Sequence, residues 1–313
     1  MKIIEYKFGD ALPNMPKTSV ALGFFDGMHL AHRHIISTTV AEAKQRGLCP
    51  AVFTFPVECE LIKSSAPRIY TSEERAQIME ELGVEILVNA DFASVCRLSP
   101  SDFVTRVLSD DLNCRLAVCG YNYRFGSKAA GDGLLLSSIM HSLGRDALVV
   151  EEKTLGGKTI SSSSIRESLA KGLVADAAKA LGAPYFIEGA VEHGRGDGKR
   201  FGIPTANLTL PDGCPLASGV YLTAVVIDGE GYTALTNVGR CPTFGAREVH
   251  AETTILNYSK DIYGKNLRIY FIDKIRDERV FSGKDELVQR IEEDKRIAEI
   301  KGENIRWQEI GLK

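Results

Sequence analysis

The chain has 313 residues and a mass of 34.2 kDa, which favours two domains because a typical domain has about 150 residues. Apolar residues make up 44% of the chain and charged residues 25%, so a disordered, collagen-like or coiled-coil protein has no compositional support. The net charge is −3, from 38 basic and 41 acidic residues. Because duplex binding normally leaves a basic surface, we expect no nucleic-acid partner.

The N-terminal sequence and the cysteines predict a cytoplasmic protein. Charged residues interrupt the opening segment MKIIEYKFGDALPN, so it lacks the apolar core of a signal peptide. No apolar run reaches the roughly 18 residues of a transmembrane helix, and we expect no membrane partner. Seven cysteines without a C-x-x-C pair predict reduced, mostly buried thiols. The expected assembly is a monomer or a weak homo-oligomer.

The first part of the chain alternates short apolar runs with helical patterns. Buried strands are predicted at 19–25, 51–55, 85–88, 116–119 and 147–150. Helices are predicted at 29–46, 71–82, 100–109 and 131–143, and Thr71-x-x-Glu74 has the signature of a capping box. This order predicts an α/β domain with a mostly parallel sheet and helices on both faces. Ligands of such sheets bind at the carboxyl ends of the strands.

Beyond Gly182 the chain becomes rich in strand patterns. Six short strands are predicted, at 185–192, 205–210, 219–227, 232–238, 250–256 and 268–271. Six strands in about 90 residues indicate a small closed barrel. A charged helix at 284–301 is expected to pack on this barrel through its apolar positions. We therefore predict an α/β domain at 1–182 and a barrel domain at 183–313.

A candidate phosphate site lies where the first predicted strand of the α/β domain ends, in the segment GFFDGMHLAH at 23–32. A strand, a glycine-bearing turn and a helix start form an anion site, because free backbone N–H groups and the helix dipole point at one spot. His29 and His32 share one face of the first helical turn, where imidazoles can stabilise charge on a departing pyrophosphate. Gly23, Phe25 and Asp26 are candidate binding residues in the turn. The competing interpretation is two ordinary surface or capping histidines.

A second cluster, GYNYRFG at 120–126, also follows a predicted strand, and Gly-Asp follows it at 131–132. The amide of Asn122, the guanidinium of Arg124 and the aromatic faces can bind a planar ligand and its phosphate. A hairpin-like loop with incidental aromatic residues is the alternative.

A third cluster, ISSSSIR at 160–166, combines hydroxyl groups and an arginine at a predicted helix start. Ser162, Ser163 and Arg166 have the residue types to grip a phosphate. Ser164-x-x-Glu167 is also a capping-box pattern, so Ser164 can have a purely structural role.

Taken together, the clusters resemble the nucleotidyltransferase module of the prokaryotic bifunctional riboflavin kinase/FAD synthetase family. The family pattern runs G-x-F-D-G-x-H-x-G-H, T-F-x-P-H-P, G-x-[DN]-[FY]-R-F-G with G-D, and S-S-T-x-I-R. The second half resembles the riboflavin kinase module of the same family. The matching segments are GRGDGKRFGIPTAN at 194–207, GVY at 219–221, NVG at 237–239, PT at 242–243, Glu252 and YG at 263–264. The resemblance covers essentially the whole chain.

The resemblance implies two ATP-dependent reactions, phosphorylation of riboflavin to FMN and adenylylation of FMN to FAD with release of pyrophosphate. Mg²⁺ is the implied metal for both reactions. In the α/β module the implied phosphate-stabilising residues are the histidines of the first cluster, and the implied ATP-holding residues are Asn122, Ser162 and Arg166.

In the second module, the loop with Gly194, Gly196 and Gly198 can cover ATP phosphates with its N–H groups, and Pro204 follows it. Thr205 and Asn207 alternate on one strand face, and their hydroxyl and amide oxygens suit Mg²⁺. The resemblance makes Glu252 the base that activates the 5′-hydroxyl of riboflavin. The ordinary alternative is Thr and Asn in a turn and Glu on a solvent-facing strand position.

The sequence departs from the family pattern in its first half. Ala31 replaces the glycine of H-x-G-H, and its methyl group can crowd a phosphate. The T-F-x-P-H-P segment reads TFPVEC at 54–59, so it lacks the histidine and its proline is displaced. Glu58 brings a carboxylate near the expected phosphate. Ser163 replaces threonine, a mild change.

These departures leave three alternatives. One is a riboflavin kinase whose first module is inactive and serves stability or assembly. Another is a flavin-binding regulator without turnover, and the third is a different H-x-x-H nucleotidyltransferase with an unrelated barrel. The Thr205, Asn207 and Glu252 set argues against the second alternative, and the PTAN segment argues against the third.

Overall fold

The computed structural model describes residues 1–10, 12, 14–59, 66–192, 205–211, 213–240, 249–279 and 281–310. Its contacts divide the chain into two compact units, Met1–Ser161 and Ser162–Lys313. Each unit has its own sheet. Among the described helices, none has the length and apolar character that crossing a membrane requires.

The first unit is built on a parallel sheet. Its strands are β1 (Lys2–Tyr6), β2 (Thr18–Leu22), β3 (Cys49–Thr54), β4 (Ile86–Ala90), β5 (Cys114–Gly120), β6 (Arg124–Phe125), β7 (Gly131–Asp132), β8 (Asp146–Val150), β9 (Thr154–Leu155) and β10 (Lys158–Thr159). Six of them pair in parallel in the order β1–β4–β3–β2–β5–β8. The predicted α/β fold is confirmed, with one further strand, β1, at the edge.

The helices of this unit are α1 (Leu30–Arg46), α2 (Ser72–Glu81), α3 (Phe92–Val95), α4 (Pro100–Asp102), a π-helical continuation of α4 (Phe103–Asp111), and α5 (Gly133–Ser142). The predicted capping box at α2 is confirmed. Thr71 Oγ1 accepts the N–H of Glu74 at 3.1 Å, and the Glu74 carboxylate accepts the N–H of Thr71 at 2.8 Å. These bonds satisfy donors that a helix start otherwise leaves unpaired.

The strand order fixes the position of the crevice in the sheet. The chain leaves β2 towards β3 and β4 on one side, while β5 and β8 lie on the other side. All five residues of β2 are buried, as expected for the central strand of a sheet covered on both faces. In open α/β sheets the ligand crevice lies at such a reversal, here at the carboxyl ends of β2 and β5.

The second unit is a barrel preceded by two helices. Its elements are α6 (Ser162–Ala170), α7 (Val174–Leu181), β11 (Tyr185–Ala190), β12 (Ala206–Thr209), β13 (Gly219–Ile227), β14 (Glu230–Arg240), β15 (Val249–Ile255), β16 (Asn266–Arg276) and α8 (Lys284–Gly302). The strands pair antiparallel in the order β11–β16–β13–β14–β15–β12. A bridge between Glu192, just after β11, and Asn207 on β12 brings together the two strands at the ends of this order. The predicted six-stranded barrel with a terminal helix is confirmed.

The helices α6 and α7 belong by their contacts to the barrel unit, and α7 contacts β11 and β16. The contact division therefore falls at Ser161, whereas the sequence places the functional boundary near Gly182; that boundary stays a prediction. Because α6 begins at Ser162, Ser164 lies inside its first turn and not at the predicted N-cap position.

Side chains along each barrel strand alternate between the inner and the outer face, and the two faces pack differently. On the inner face, hydroxyl groups bond in a row, Thr223 to Thr236 at 2.8 Å and Thr236 to Thr253 at 2.9 Å between Oγ1 atoms. All three threonines are fully buried. On the outer face, α8 and the C-terminal turn cover an apolar cluster that includes Leu222 and the partly buried Trp307.

We expect Thr236→Val to destabilise the barrel by about 1–3 kcal/mol, because it leaves two buried hydroxyls without their shared partner. Replacing all three threonines with valine removes every hydroxyl of the row, so none is left buried without a partner. This triple variant should therefore lose less unfolding free energy than Thr236→Val. Trp307 is the only tryptophan of the chain, so its fluorescence during urea unfolding reports the barrel. A triple variant less stable than Thr236→Val would contradict the shared-hydroxyl explanation.

Candidate functional sites

A cleft of about 640 Å³ opens at the predicted crevice of the parallel sheet. Gly23 and Gly120, at the ends of β2 and β5, both line it. Its lining includes eight aromatic residues: Phe24, Phe25, Phe53, Phe55, Phe92, Phe103, Tyr123 and Phe125. Its polar lining includes His32, Asn122, Arg124 and Lys128. The cleft thus combines flat apolar walls with donors for anionic groups.

The two histidines of the first cluster stand together at the start of α1. His29 is the N-cap, and its Nδ1 accepts the N–H of His32 at 3.4 Å. The imidazole rings stack with centroids 3.6 Å apart. This capping bond uses only Nδ1 of the His29 ring, so it does not by itself exclude a ligand role for the imidazole. The capping interpretation and the ligand interpretation are therefore compatible for His29.

The turn between β2 and α1 is tightly packed. Phe25 is buried with φ of +49°, and Met28 is buried with φ of +42°. A Cβ at Gly23 would lie 2.7 Å from the Phe25 ring, so Gly23 is required for this packing. Asp26 is also buried. Phe25 lines the cleft, whereas Asp26 is buried in the turn and is not among the lining residues.

Arg75 is a cleft-supporting residue that sequence reasoning missed. It lies on α2, is 1% exposed, and donates from Nη1 to the carbonyl of Phe24 at 2.7 Å and from Nη2 to the carbonyl of Phe55 at 2.9 Å. Burial lowers the pKa of its guanidinium to about 10, against the opposing effect of Asp26 and Glu58. In the sequence it stands in a charged run on a helix, which gives no sign of burial.

The loop after β5 contributes two predicted residues to the cleft. Asn122 and Arg124 both line it. Arg124 Nη1 lies 3.6 Å from Asp132 Oδ2, across the short β6–β7 pair. The Tyr123 ring stacks on that of Phe125 with centroids 5.7 Å apart. The loop is therefore a small hairpin, and its residues also form the cleft wall.

The third cluster starts α6, in the second unit. Ser162 is buried, Ser163 is exposed and Arg166 is half-buried. Their part in holding ATP stays a prediction.

Glu58, the carboxylate that departs from the family pattern, is engaged by residues outside the described cleft lining. Its carboxylate accepts the Ser72 hydroxyl at 2.7 Å and lies 3.8 Å from Arg68 Nη1. Ser72 Oγ in turn accepts the N–H of Val57 at 3.3 Å. Neither Glu58 nor Ala31 is among the residues that line the cleft. The carboxylate thus joins the start of α2 to the segment after β3.

In the barrel, strand register places three polar residues in one row on the outer face. Asn207 on β12 is directly opposite Glu252 on β15, and Glu252 is directly opposite Asn237 on β14. Glu252 is exposed. Residues directly opposite in antiparallel strands point to the same side, so these side chains are neighbours. Asn207 Nδ2 donates to the carbonyl of Thr205 at 3.4 Å, which leaves its Oδ1 as the acceptor end.

A second carboxylate, Glu278, lies beside this row. A Cβ at Gly239 would clash with Glu278 Oε1, so the carboxylate packs directly on the glycine. Partial desolvation raises the pKa of Glu278, Arg276 lowers it, and the charge of Glu252 raises it. Sequence reasoning missed Glu278, since it follows the last barrel strand and depends on that strand's register.

Four predicted residues lie outside the described part of the chain: Gly194, Gly196, Gly198 and Pro204. The Pro242-Thr243 segment does as well. At the described edge of this region, a cavity of about 170 Å³ is lined by Thr205, Tyr258, Lys260 and Tyr263, among others.

Comparison with known proteins identifies the two halves of the chain. A family model described as FAD synthetase matches residues 12–164, and one described as riboflavin kinase matches residues 181–301. The chain is thus a two-module enzyme of flavin nucleotide chemistry. It is 35% identical to the bifunctional riboflavin kinase/FMN adenylyltransferase of Bacillus subtilis, over 90% of this chain and 92% of that protein. The Escherichia coli K12 protein of the same name is 30% identical, over 89% and 91%. The chain belongs to the bifunctional riboflavin kinase/FMN adenylyltransferase family.

A crystal structure from Streptococcus pneumoniae, described as a macrolide-efflux protein, has the same architecture. It aligns with a TM-score of 0.82 and 30% identity, over 96% of this chain and 99% of that chain. Its description as an efflux protein is said of that protein alone. The family models that match the present chain are both enzyme models.

Proposed function

We propose that the chain phosphorylates riboflavin to FMN at its barrel and adenylylates FMN to FAD at its parallel-sheet cleft, using ATP in both reactions. The observation that carries this proposal is the presence of two separate constellations in one chain. One is the His29–His32 pair beside an aromatic cleft, and the other is the Asn207–Glu252 pair on the barrel.

In the kinase reaction, we assign Glu252 as the group that accepts the proton of the flavin 5′-hydroxyl. It is exposed and lies directly opposite Asn207, so a hydroxyl can approach it from solvent. Phosphoryl transfer requires positioning and charge neutralisation more than covalent help from the protein. Glu278, whose pKa burial and Glu252 raise, adds a second carboxyl group to the neighbourhood.

The donor set beside Glu252 fits Mg²⁺. Thr205 supplies a hydroxyl, and the amide of Asn207 is turned so that its N–H₂ end is already engaged by a carbonyl. Hard oxygen donors of this kind are what Mg²⁺ prefers. We assign Thr205 and Asn207 as its ligands, and Mg²⁺ when bound would neutralise charge on the ATP phosphates.

In the adenylyltransferase reaction, the phosphate of FMN attacks the α-phosphorus of ATP, and the bond to pyrophosphate breaks. All residues in the first turn of α1 belong to the described part of the chain, and none of them is acidic. The N–H groups and the helix dipole at this end of α1 therefore favour the anionic phosphates. The imidazoles of His29 and His32 can stabilise charge on the departing pyrophosphate. The aromatic walls suit the flat isoalloxazine ring.

The sequence departures do not require an inactive first module. Glu58 is engaged by Ser72 and Arg68, and the described cleft wall does not include it. The inactive-module alternative rested on the whole departure at 54–59, and the contacts of Glu58 remove one part of it, the carboxylate expected near a phosphate. The family comparisons likewise favour the bifunctional interpretation.

The proposed compartment is the cytoplasm. The six cysteines in the described part of the chain are all free thiols, which fits a reducing compartment. The proposed partners are the small-molecule substrates alone.

Chromatography of the products from riboflavin and Mg·ATP tests the proposal directly. We expect FMN first and FAD after it. FMN without FAD would remove the adenylyltransferase assignment, and no conversion would remove both assignments.

We expect Glu252→Gln to abolish FMN formation, because the amide cannot accept the hydroxyl proton, while the FMN-to-FAD step continues. A general base of this kind contributes about 10²–10⁴-fold to the rate. Separate assays starting from riboflavin and from FMN measure the two steps. Loss of both steps in a folded variant would contradict independent sites.

We expect Glu58→Gln to change the rate of FAD formation by less than about twofold, because surface charge pairs of this kind contribute little. His32→Gln is the matched comparison inside the cleft and should slow the reaction by about tenfold or more. Initial rates from FMN and Mg·ATP measure both. A large gain in rate for Glu58→Gln would show that this carboxylate repels the phosphates.

A further inference from the structure

We propose that Arg75 is a positioning residue for adenylyl transfer, whose guanidinium holds together the two neighbouring loops that follow β2 and β3 and line the cleft. The inference rests on the proposed adenylyltransferase function. It concerns a side chain outside the sequence motifs, one that does not line the cleft.

The first observation is the pair of carbonyls that Arg75 engages. Phe24 and Phe55 are the residues with which the chain departs from β2 and β3, and the rings of both line the cleft. Beyond the ends of β2 and β3, no neighbouring strand in the described part of the chain supplies an N–H donor to these two carbonyls. One planar guanidinium donates to both, at 2.7 Å and 2.9 Å. Its fork geometry therefore fixes the position of the two loops relative to each other.

The second observation is the burial of this cation. Arg75 is 1% exposed, and an arginine is rarely buried to this extent without a structural use. The Asp26 carboxylate, in the turn that leads to His29, favours its charged form. The turn is thus attached to Arg75 through its carbonyl at Phe24 and through the charge of Asp26.

The third observation is a second donor to the same atom. Thr54 Oγ1 donates to the Phe24 carbonyl at 2.9 Å, and Thr54 is fully buried. The Phe24 carbonyl therefore has two fixed donors from two elements, β3 and α2. Because His29 is five residues beyond Phe24, a shift at this carbonyl moves the start of α1 and the groups that face the phosphates.

The first unit contains a matched control. Arg145 Nη1 also donates to two backbone carbonyls, of Ser109 at 2.9 Å and of Cys114 at 2.7 Å. Cys114 is the first residue of β5, so this arginine acts at the amino end of the strands, whereas the cleft lies at their carboxyl end. Arg75→Lys and Arg145→Lys thus make the same chemical change at the two ends of one sheet.

The experiment compares full-length wild type, Arg75→Lys, Arg75→Met and Arg145→Lys at a temperature well below unfolding. We expect Arg75→Lys to lower kcat for FMN adenylylation by about 10- to 100-fold, since an ammonium cannot hold both carbonyls and small misplacements are costly. KM should change much less, and riboflavin phosphorylation by the same sample should be unaltered. Arg145→Lys should lower the thermal unfolding temperature without a comparable loss of kcat.

A kcat for Arg75→Lys no lower than that of Arg145→Lys would overturn the proposal. Should Arg75→Met not fold, Thr54→Val provides the second test, because it removes the other donor to Phe24. The Thr54→Val and Arg75→Lys losses in kcat should be non-additive, since both act on one carbonyl. Additive losses would contradict action through Phe24.

Amide hydrogen exchange separates this proposal from the proposed function. Arg75→Lys should accelerate exchange in residues 22–30, and Arg145→Lys should not. If wild type forms no FAD, the proposed function fails, and this exchange pattern alone decides the role of Arg75. Unchanged exchange in that segment would refute the positioning role.

Discussion

Buried backbone carbonyls at the ends of buried strands must find donors, and this requirement shapes the cleft of the first unit. Inside the sheet, neighbouring strands supply the donors, but the supply ends where the chain turns away from β2 and β3. At Phe24 the donors are the Thr54 hydroxyl and the Arg75 guanidinium. The positions of the turn, the histidine pair and the aromatic walls all follow from how these carbonyls are satisfied.

The barrel follows a different constraint, the alternation of side chains along a strand. Thr253 points inward and completes the row of buried hydroxyls, while its neighbour Glu252 points outward beside Asn207. A shift of register by one residue would exchange the two and remove the polar row. The interior of the barrel and the proposed kinase site on its outer face are thus fixed by the same pairing.

The sequence predicted the elements whose pattern is local. Short apolar runs marked the buried strands, and Thr71 with Glu74 marked the start of α2. The edge strand β1 was not predicted, because its exposed lysine and glutamate interrupt the apolar pattern. The π-helical segment Phe103–Asp111 was predicted as part of an ordinary α-helix, since its hydrophobic pattern does not distinguish the two.

Residues that act through long-range contacts were the ones missed. Arg75 reaches Phe24 across 51 residues of sequence, and nothing near it on α2 indicates burial. Glu278 meets Gly239 only after β14 and β16 are both placed in the barrel. In contrast, the motif residues His29, Asn207 and Glu252 each lie at a strand end, helix start or strand position that the local pattern identifies.

The Glu58 position shows how a departure from a motif should be judged. In the sequence, a carboxylate replacing a histidine next to a phosphate site indicates repulsion. In the fold, the same carboxylate accepts the Ser72 hydroxyl and lies near Arg68, so its charge is compensated at the start of α2. The substituted carboxylate is therefore accommodated at the start of α2, and its presence beside the motif does not by itself imply the loss of the reaction.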